Sequence, residues 1–373
     1  MNSLRRAALG AALAGVLPPW AQSAPLPVPT PASAPAPASR PGGRVWRIAA
    51  SNHGQDFARA LAEAGDGDTL ELGPGVHRGA VGVVRQPRLT LRAATGDDAC
   101  VLDADGRDAE GKAILVAKGR ELHLEGLVLR GCRVPDGNGA GVRHESGLLS
   151  AHGCRFEDNE NGILTGNAPG LVLRLEGCHF GRPAASAARL KHLLYVGRID
   201  RLELRDCSFG PGDGGHLLKC RARASEIAGC VLADVWAGQP AGRAAYELEF
   251  AEGGQHRVEG NLIVQSAGSL NPTLLAFGAE AWRLPAGSPP ARLELVDNTF
   301  VNLGDAGAGF VRVWASHLPA GSGWTAANNR FAGPGRLVLP SATNAGGNRR
   351  IALSELRGFE PLGWRLPPGV RAQ

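Results

Sequence analysis

Three short runs repeat one another in pattern and differ in charge: His192-Leu193-Leu194-Tyr195-Val196-Gly197, His216-Leu217-Leu218-Lys219-Cys220-Arg221 and Tyr246-Glu247-Leu248-Glu249-Phe250-Ala251. A fourth, Thr273-Leu274-Leu275-Ala276-Phe277-Gly278, keeps the pattern without the charges. Strand alternation sorts their positions. The columns Leu194/Leu218/Leu248/Leu275 and Val196/Cys220/Phe250/Phe277 are apolar throughout and are expected to point inward. The column between them, Tyr195/Lys219/Glu249/Ala276, then points outward, and Arg221 and Glu247, one alternation away, point out with it. One outer face would present Tyr, Lys, Arg and two Glu within three rungs, roughly 10–15 Å. His192 and His216 stack at the strand starts, Arg223 follows Arg221, and Glu280 lies just past the fourth run. Charge together with Tyr and His on one strip looks like a groove for a polyanion. The expected catalytic set is Lys219, Tyr195, His216, Arg221 and Glu249; the expected substrate-binding set is His192, Glu247, Arg223 and Glu280. The competing reading is a solvated ion-pair ladder, with Lys219 opposite Glu249 on the next strand.

The strands that hold these residues belong to a repeat. A Cys or Asn, one residue, then an apolar one recurs, mostly after Gly or Asp. The column runs Cys132, Cys154, Cys178, Cys207, Cys230, Asn261, Asn298 and Asn329, at spacings of 22, 24, 29, 23, 31, 37 and 31. A floor near 22 with variable excess describes a fixed rung joined by loops of changing length. Short alternating strands precede several of these positions, as in Leu171/Leu173/Leu175 and Leu293/Leu295. Strands this short bury no face alone, but parallel coils stacked at about 4.8 Å bury a continuous core.

This pattern resembles the right-handed parallel β-helix of the pectate-lyase-like superfamily, over about residues 65–340. In that superfamily a stacked Asn ladder precedes an inward apolar residue. Asn261, Asn298 and Asn329 match the ladder, and Cys132 to Cys230 take its place earlier. Gly67-Asp68-Thr69-Leu70 and Pro74-Gly75-Val76-His77 resemble the first coil. Gln55 to Ala64, with Phe57 and Leu61 at helical spacing, fits the amphipathic cap, and the tail from Leu353 is expected over the last coil. About nine coils follow. The resemblance implies a fold rather than a chemistry, because the fold hosts lyases, hydrolases, epimerases and adhesins. Leu217-Leu218-Lys219-Cys220 resembles the strand that carries the base Lys in alginate- and chondroitin-lyase β-helices. Their downstream Arg would fall near Glu249 to Glu252, where this chain has none. A Tyr195 base, with Lys219 or Arg221 on the carboxylate, is the alternative. The strings Tyr195-Val196-Gly197, Gly215 to Ala222, Tyr246 to Phe250 and Phe277 to Glu280 are similar to exported proteobacterial β-helix proteins known mainly by fold.

Composition agrees with this architecture. The chain has 373 residues with 53 Gly and 26 Pro, far above ordinary usage, and no collagen-like period. So much Gly disfavours a helical protein. Forty basic residues against 35 acidic, net +5, form no stripe suited to nucleic acid. Only Lys112, Lys118, Lys191 and Lys219 are lysines. At the N-terminus, Arg5 and Arg6 precede an apolar run, Ala7 to Leu17, and a small-residue site ending at Ser23. This reads as a signal peptide over 1–23, with an uncleaved anchor as the alternative. A Pro/Ala-rich linker over 24–44, the β-helix over 45–362 and a tail over 363–373 complete the organisation. The ladder cysteines are expected to be buried free thiols, although rungs at this spacing also permit a disulfide.

The expected function is an exported carbohydrate-active protein, periplasmic or secreted, lyase-like, acting on or binding an acidic polysaccharide. It would be a monomer without a nucleic-acid partner and off the membrane after signal cleavage. The alternatives are a non-catalytic glycan-binding or envelope scaffold, or a hydrolase or epimerase on the same fold. A hydrolase would use paired carboxylates, for which Glu247 and Glu249 are the candidates. No cofactor is expected. Asp158, Asn159, Glu160 and Asn161 offer Ca²⁺ oxygens, but they read first as turn residues.

Overall fold

The computed structural model describes residues 43–356, apart from 52, 95–98, 185–190, 305, 306, 308 and 338–342, together with Trp364. Residues 1–23, expected to be a signal peptide, the expected linker up to residue 42, and the expected tail apart from Trp364 lie outside the described residues.

Each coil is made possible by a left-handed residue just before the ladder position. Gly153, Gly177, Gly229 and Gly260 have φ of 60°, 59°, 65° and 66°, and Asp206, Asp297 and Asn328 have φ of 52°, 56° and 56°. Only Gly, Asn and Asp adopt this conformation readily, which explains why those types alternate there in the sequence. The chain turns at this point and starts a new strand on the next side of the coil.

Repeating the turn gives a right-handed parallel β-helix, the hand that crossovers between parallel strands almost always take. Among the described residues, three sheets of 12, 10 and 11 strands run along it, each ordered along the axis in chain order. The number of rungs exceeds the nine expected, because the first and last coils lack the Cys/Asn signature that the count relied on. One early strand, Val45–Ile48, comes before the cap helix and pairs in parallel with Asp68–Leu72. The helix Gln55–Glu63 buries Phe57, Ala60 and Leu61, as a cap over the first coil requires.

Inside, like side chains stack on like. Phe156, Phe180 and Phe209 form a ring column with centroids 4.8 and 4.7 Å apart. The Asn ladder is present: Asn298 Nδ2 donates to Asn329 Oδ1 at 3.0 Å and to the Val258 carbonyl at 2.8 Å. It extends one rung further than expected, to Asn348, whose Oδ1 accepts from Asn329 Nδ2 at 2.9 Å. All seven cysteines are buried and free. Burial pushes the Cys132 and Cys220 thiols up to about 12, and neighbouring thiols together with burial raise Cys154 and Cys207.

Of the tail expected over the last coil, the described residues Leu353, Leu356 and Trp364 pack with Val231, Leu262, Val264, Val301, Ala332 and Ile351 along the outer face of the third sheet. These outward positions are apolar, unlike the charged outer faces elsewhere, so they need a cover. Trp364 Nε1 donates to the Val235 carbonyl at 2.9 Å and anchors it. No helix among the described residues is long and apolar enough to cross a membrane.

Candidate functional site

The ten-stranded sheet positions the charged strip in the register read from the sequence. Leu194, Leu218, Leu248 and Leu275 are opposite one another in turn; so are Tyr195, Lys219, Glu249 and Ala276; so are Val196, Cys220, Phe250 and Phe277. The two flanking columns are fully buried, which turns the middle column outward.

The outward side chains form one connected network. Lys219 Nζ lies 2.9 Å from Glu249 Oε2 and 2.7 Å from Glu280 Oε1. Arg221 donates through Nη1 to the Tyr195 hydroxyl and through Nη2 to Glu280 Oε2 at 2.7 Å, and its Nε lies 3.3 Å from Glu252. Glu252 also takes a two-pronged pair from Arg198 at 2.7 and 2.8 Å, and Arg283 reaches Glu280 at 2.8 Å. His216 Nε2 lies 2.8 Å from Glu249 Oε2. That contact falls off the hydrogen-bonding direction, so His216 acts there as a close polar neighbour. Its backbone N–H donates to His192 Nδ1 at 3.0 Å, and the two rings lie 4.8 Å apart.

This is not the solvated ladder that the sequence also allowed. Such a ladder does exist on the first sheet, where Arg257 and Glu294 pair with 44% and 52% of their side chains exposed. In the strip, Lys219 is 12%, Arg221 11%, Glu249 4% and Glu252 6% exposed. Taking charges out of water costs free energy that pairing only partly returns, so such a network is weakly explained by stability. Sunken ion networks with shifted titration are characteristic of functional sites.

Titration in the strip follows from burial and pairing. Burial alone would raise the Glu280 carboxyl; hydrogen bonds from Lys219 and Arg221 overcome it and hold the group at about 2. Glu249 stays below the usual carboxylate range against its burial, through His216 and Lys219. Burial lowers His192, with the His216 and Lys219 charges adding to it; burial also lowers His216, against the opposing pull of Glu249.

Two expected members stand apart. Glu247 is fully buried rather than outward. Its equivalents on the neighbouring rungs, Leu217 and Leu274, are buried too. Glu247 Oε1 accepts from Ser269 Oγ at 3.3 Å, and Ser269 also donates to Asp234 at 3.3 Å; Glu247 Oε2 has no partner. Burial, with Asp234 nearby, raises the Glu247 carboxyl well above its ordinary range. Glu247 and Glu249 therefore do not form the open carboxylate pair that a hydrolase needs. Arg223 is exposed and pairs with Asp200 at 3.2 Å, outside the network.

Sequence reasoning missed Arg198, Glu252 and Arg283. A signal for two of them was present. With Val196 opposite Cys220 and Cys220 opposite Phe250, Arg198, Ala222 and Glu252 are equivalent two residues further on.

The Ca²⁺ candidates serve the backbone. Asn159 Oδ1 accepts from the Cys132 N–H at 2.9 Å, Glu160 Oε2 from Val134 and Gly139, and Asn161 Oδ1 from the His192 N–H at 2.9 Å. Asp158 pairs with Arg133 at 2.8 Å. Among the described residues no group of three or more His, Cys, Asp or Glu is placed to hold a metal ion.

No family model matches the chain, and no curated protein matches it. Among solved structures, an alginate lyase from Paenibacillus sp. is similar at 16% identity and TM-score 0.48, covering 78% of this chain and 96% of its own. A PL6 family polysaccharide lyase from Pseudopedobacter saltans is similar at 13% identity and TM-score 0.40, covering 89% of this chain and 96% of its own.

Proposed function

We propose that the protein is an exported, monomeric carbohydrate-active β-helix protein that acts on an acidic polysaccharide along the Tyr195/Lys219/Arg221 strip, by lyase-like elimination. The observation that carries this reading is the sunken network that joins a phenol, an ammonium and a guanidinium on one face. Elimination removes the proton α to a uronate carboxylate, breaks the bond to the departing glycosidic oxygen, forms a carbon–carbon double bond and returns a proton to that oxygen. In this reading Arg221 and Lys219 neutralise the carboxylate, which makes its α proton removable. The Tyr195 hydroxyl, held against Arg221, is the proton-transfer group. Lys219, clamped between two carboxylates, suits a charge-neutralising role better than that of a base.

The test is a screen of polygalacturonate, alginate and glucuronate polymers, with and without Ca²⁺, read by absorbance of the unsaturated product. Tyr195→Phe should lower turnover about 10²–10⁴-fold, the usual weight of a positioned acid–base group. Turnover unchanged in both Tyr195→Phe and Lys219→Ala would sink the assignment. A second reading, a non-catalytic glycan-binding or envelope scaffold, is favoured by one fact: Lys219, Arg221 and Arg198 each already have a carboxylate partner. Polymer binding without product after long incubation selects it. Export to the periplasm or medium is checked by fractionation and by sequencing the mature N-terminus, expected to begin after Ser23.

A further inference from the structure

The turns that leave the ten-stranded sheet are short at three successive rungs, spanning 197–200, 221–223 and 251–254. At the next rung the strand ends at Phe277 and the following strand starts only at Arg292. This longer segment brings Glu280 back over the strip. Each carboxylate oxygen of Glu280 meets its own cation: Oε1 lies 2.7 Å from Lys219 Nζ, and Oε2 lies 2.7 Å from Arg221 Nη2 and 2.8 Å from Arg283. That is how a bound carboxylate ligand sits in a cationic fork. Unlike Glu249, Glu280 is not on a strand; it follows Gly278, whose φ is 80°, and leads into a single turn at Ala281–Arg283.

The fixed part of the strip is cation-rich: Arg198, Lys219 and Arg221 face two carboxylates, Glu249 and Glu252, and the segment brings one more group of each sign, Arg283 and Glu280. Two residues further on, Trp282 is 62% exposed, with the Arg283 guanidinium 4.9 Å from its ring centre. The segment therefore carries both the occupant of the fork and an open aromatic face.

We propose that Lys219 and Arg221 form a carboxylate-binding fork that Glu280 occupies from within, and that a uronate carboxylate takes the place of Glu280 when the 278–284 segment moves aside. The ligand class is a uronic acid, free or within a polymer, and the inference rests on the acidic-polysaccharide reading of the strip. An internal occupant lowers apparent affinity by the fraction of molecules in which the fork is free.

The experiment is calorimetric titration of the full mature chain with galacturonate and an oligogalacturonate, and with a neutral galactose oligomer as control. Glu280→Gln keeps the shape and loses the charge. It should bind both uronates about tenfold or more tightly than wild type, and the neutral oligomer no better. Adding Lys219→Ala to Glu280→Gln should erase the gain. Uronate binding no tighter in Glu280→Gln than in wild type overturns the proposal. Should that variant fail to fold, Glu280→Asp, one methylene too short to bridge both cations, must show the same sign of change or the proposal falls. Polymer cleavage by wild type with no gain in either variant removes the fork alone. A gain for galacturonate with no binding or cleavage of any polyuronate keeps the fork and removes the polysaccharide reading.

Discussion

At the scale of single residues, the molecule holds two carboxyls, Glu280 and Glu247, in opposite electrostatic states. Glu280 is ringed by cations and stays charged down to about pH 2. Its folded value is depressed, so the stability it contributes is fully present above the unfolded carboxyl value and is lost progressively as pH falls from there through about 2. Glu247 is the reverse. Buried without a cation and with one oxygen unpartnered, it is held neutral, its folded value raised. Its contribution is complete below the unfolded value and disappears as pH rises through the raised one. Glu247→Gln places an uncharged group of the same shape in the same pocket. Melting temperature measured against pH should therefore fall less in Glu247→Gln than in wild type as pH rises above the unfolded carboxyl value, with little difference in pH dependence below it. Identical curves above that value would show that Glu247 is not the buried neutral acid described.

At the scale of elements, the rung is both the unit of stability and the part of the structure most legible in the sequence. Period-two alternation placed Tyr195, Lys219 and Glu249 in one column because both flanking columns are apolar on every strand. It failed at Glu247, one residue upstream of the strand, where alternation no longer decides exposure and a loop from the neighbouring coil does. It also could not show where Glu280 would sit, since spacing reports how long a loop is and not where it folds back. The 37-residue step between Asn261 and Asn298 did mark the coil that carries the longer segment. Asn348 went unread because its step from Asn329, 19 residues, lies below the floor of the other spacings. Two element-scale outcomes follow. Asn298→Ala removes bonds to Asn329 and to the Val258 carbonyl and strands buried groups on both neighbouring rungs, at a cost of about 1–3 kcal/mol for an unsatisfied group. Phe180→Ala opens a cavity between two stacked rings and should cost about 3–5 kcal/mol. Denaturant unfolding of each variant, with an unchanged circular dichroism spectrum, checks both; wild-type midpoints would contradict the ladder and the stack as sources of stability.

For the whole molecule, stacking has a consequence that a layered globular domain does not share. Each coil touches only the coils on either side, so an interior coil is held from two directions and a terminal one from a single direction plus its cap. Opening should begin at the ends and move inward. The seven buried thiols report on this directly, because they lie at successive heights along the axis and none is bonded. Cys100 is on the second strand of its sheet, close to the N-terminal cap, whereas Cys207 lies next to Cys178 and Cys230, deep in the column. In native buffer a thiol reagent should modify none of the seven within the time that it modifies all of them in strong denaturant. In sub-denaturing urea, pulsed labelling read by peptide mass should reach Cys100 before Cys207. The order matters for the site. The strip spans the strands of Tyr195, Lys219 and Glu249, in the interior of its sheet, so end opening leaves its geometry intact. Ligand-binding capacity should then persist at urea concentrations where Cys100 is already labelled. Simultaneous labelling of Cys100 and Cys207 would mean that the solenoid unfolds as one unit and gives the strip no such protection.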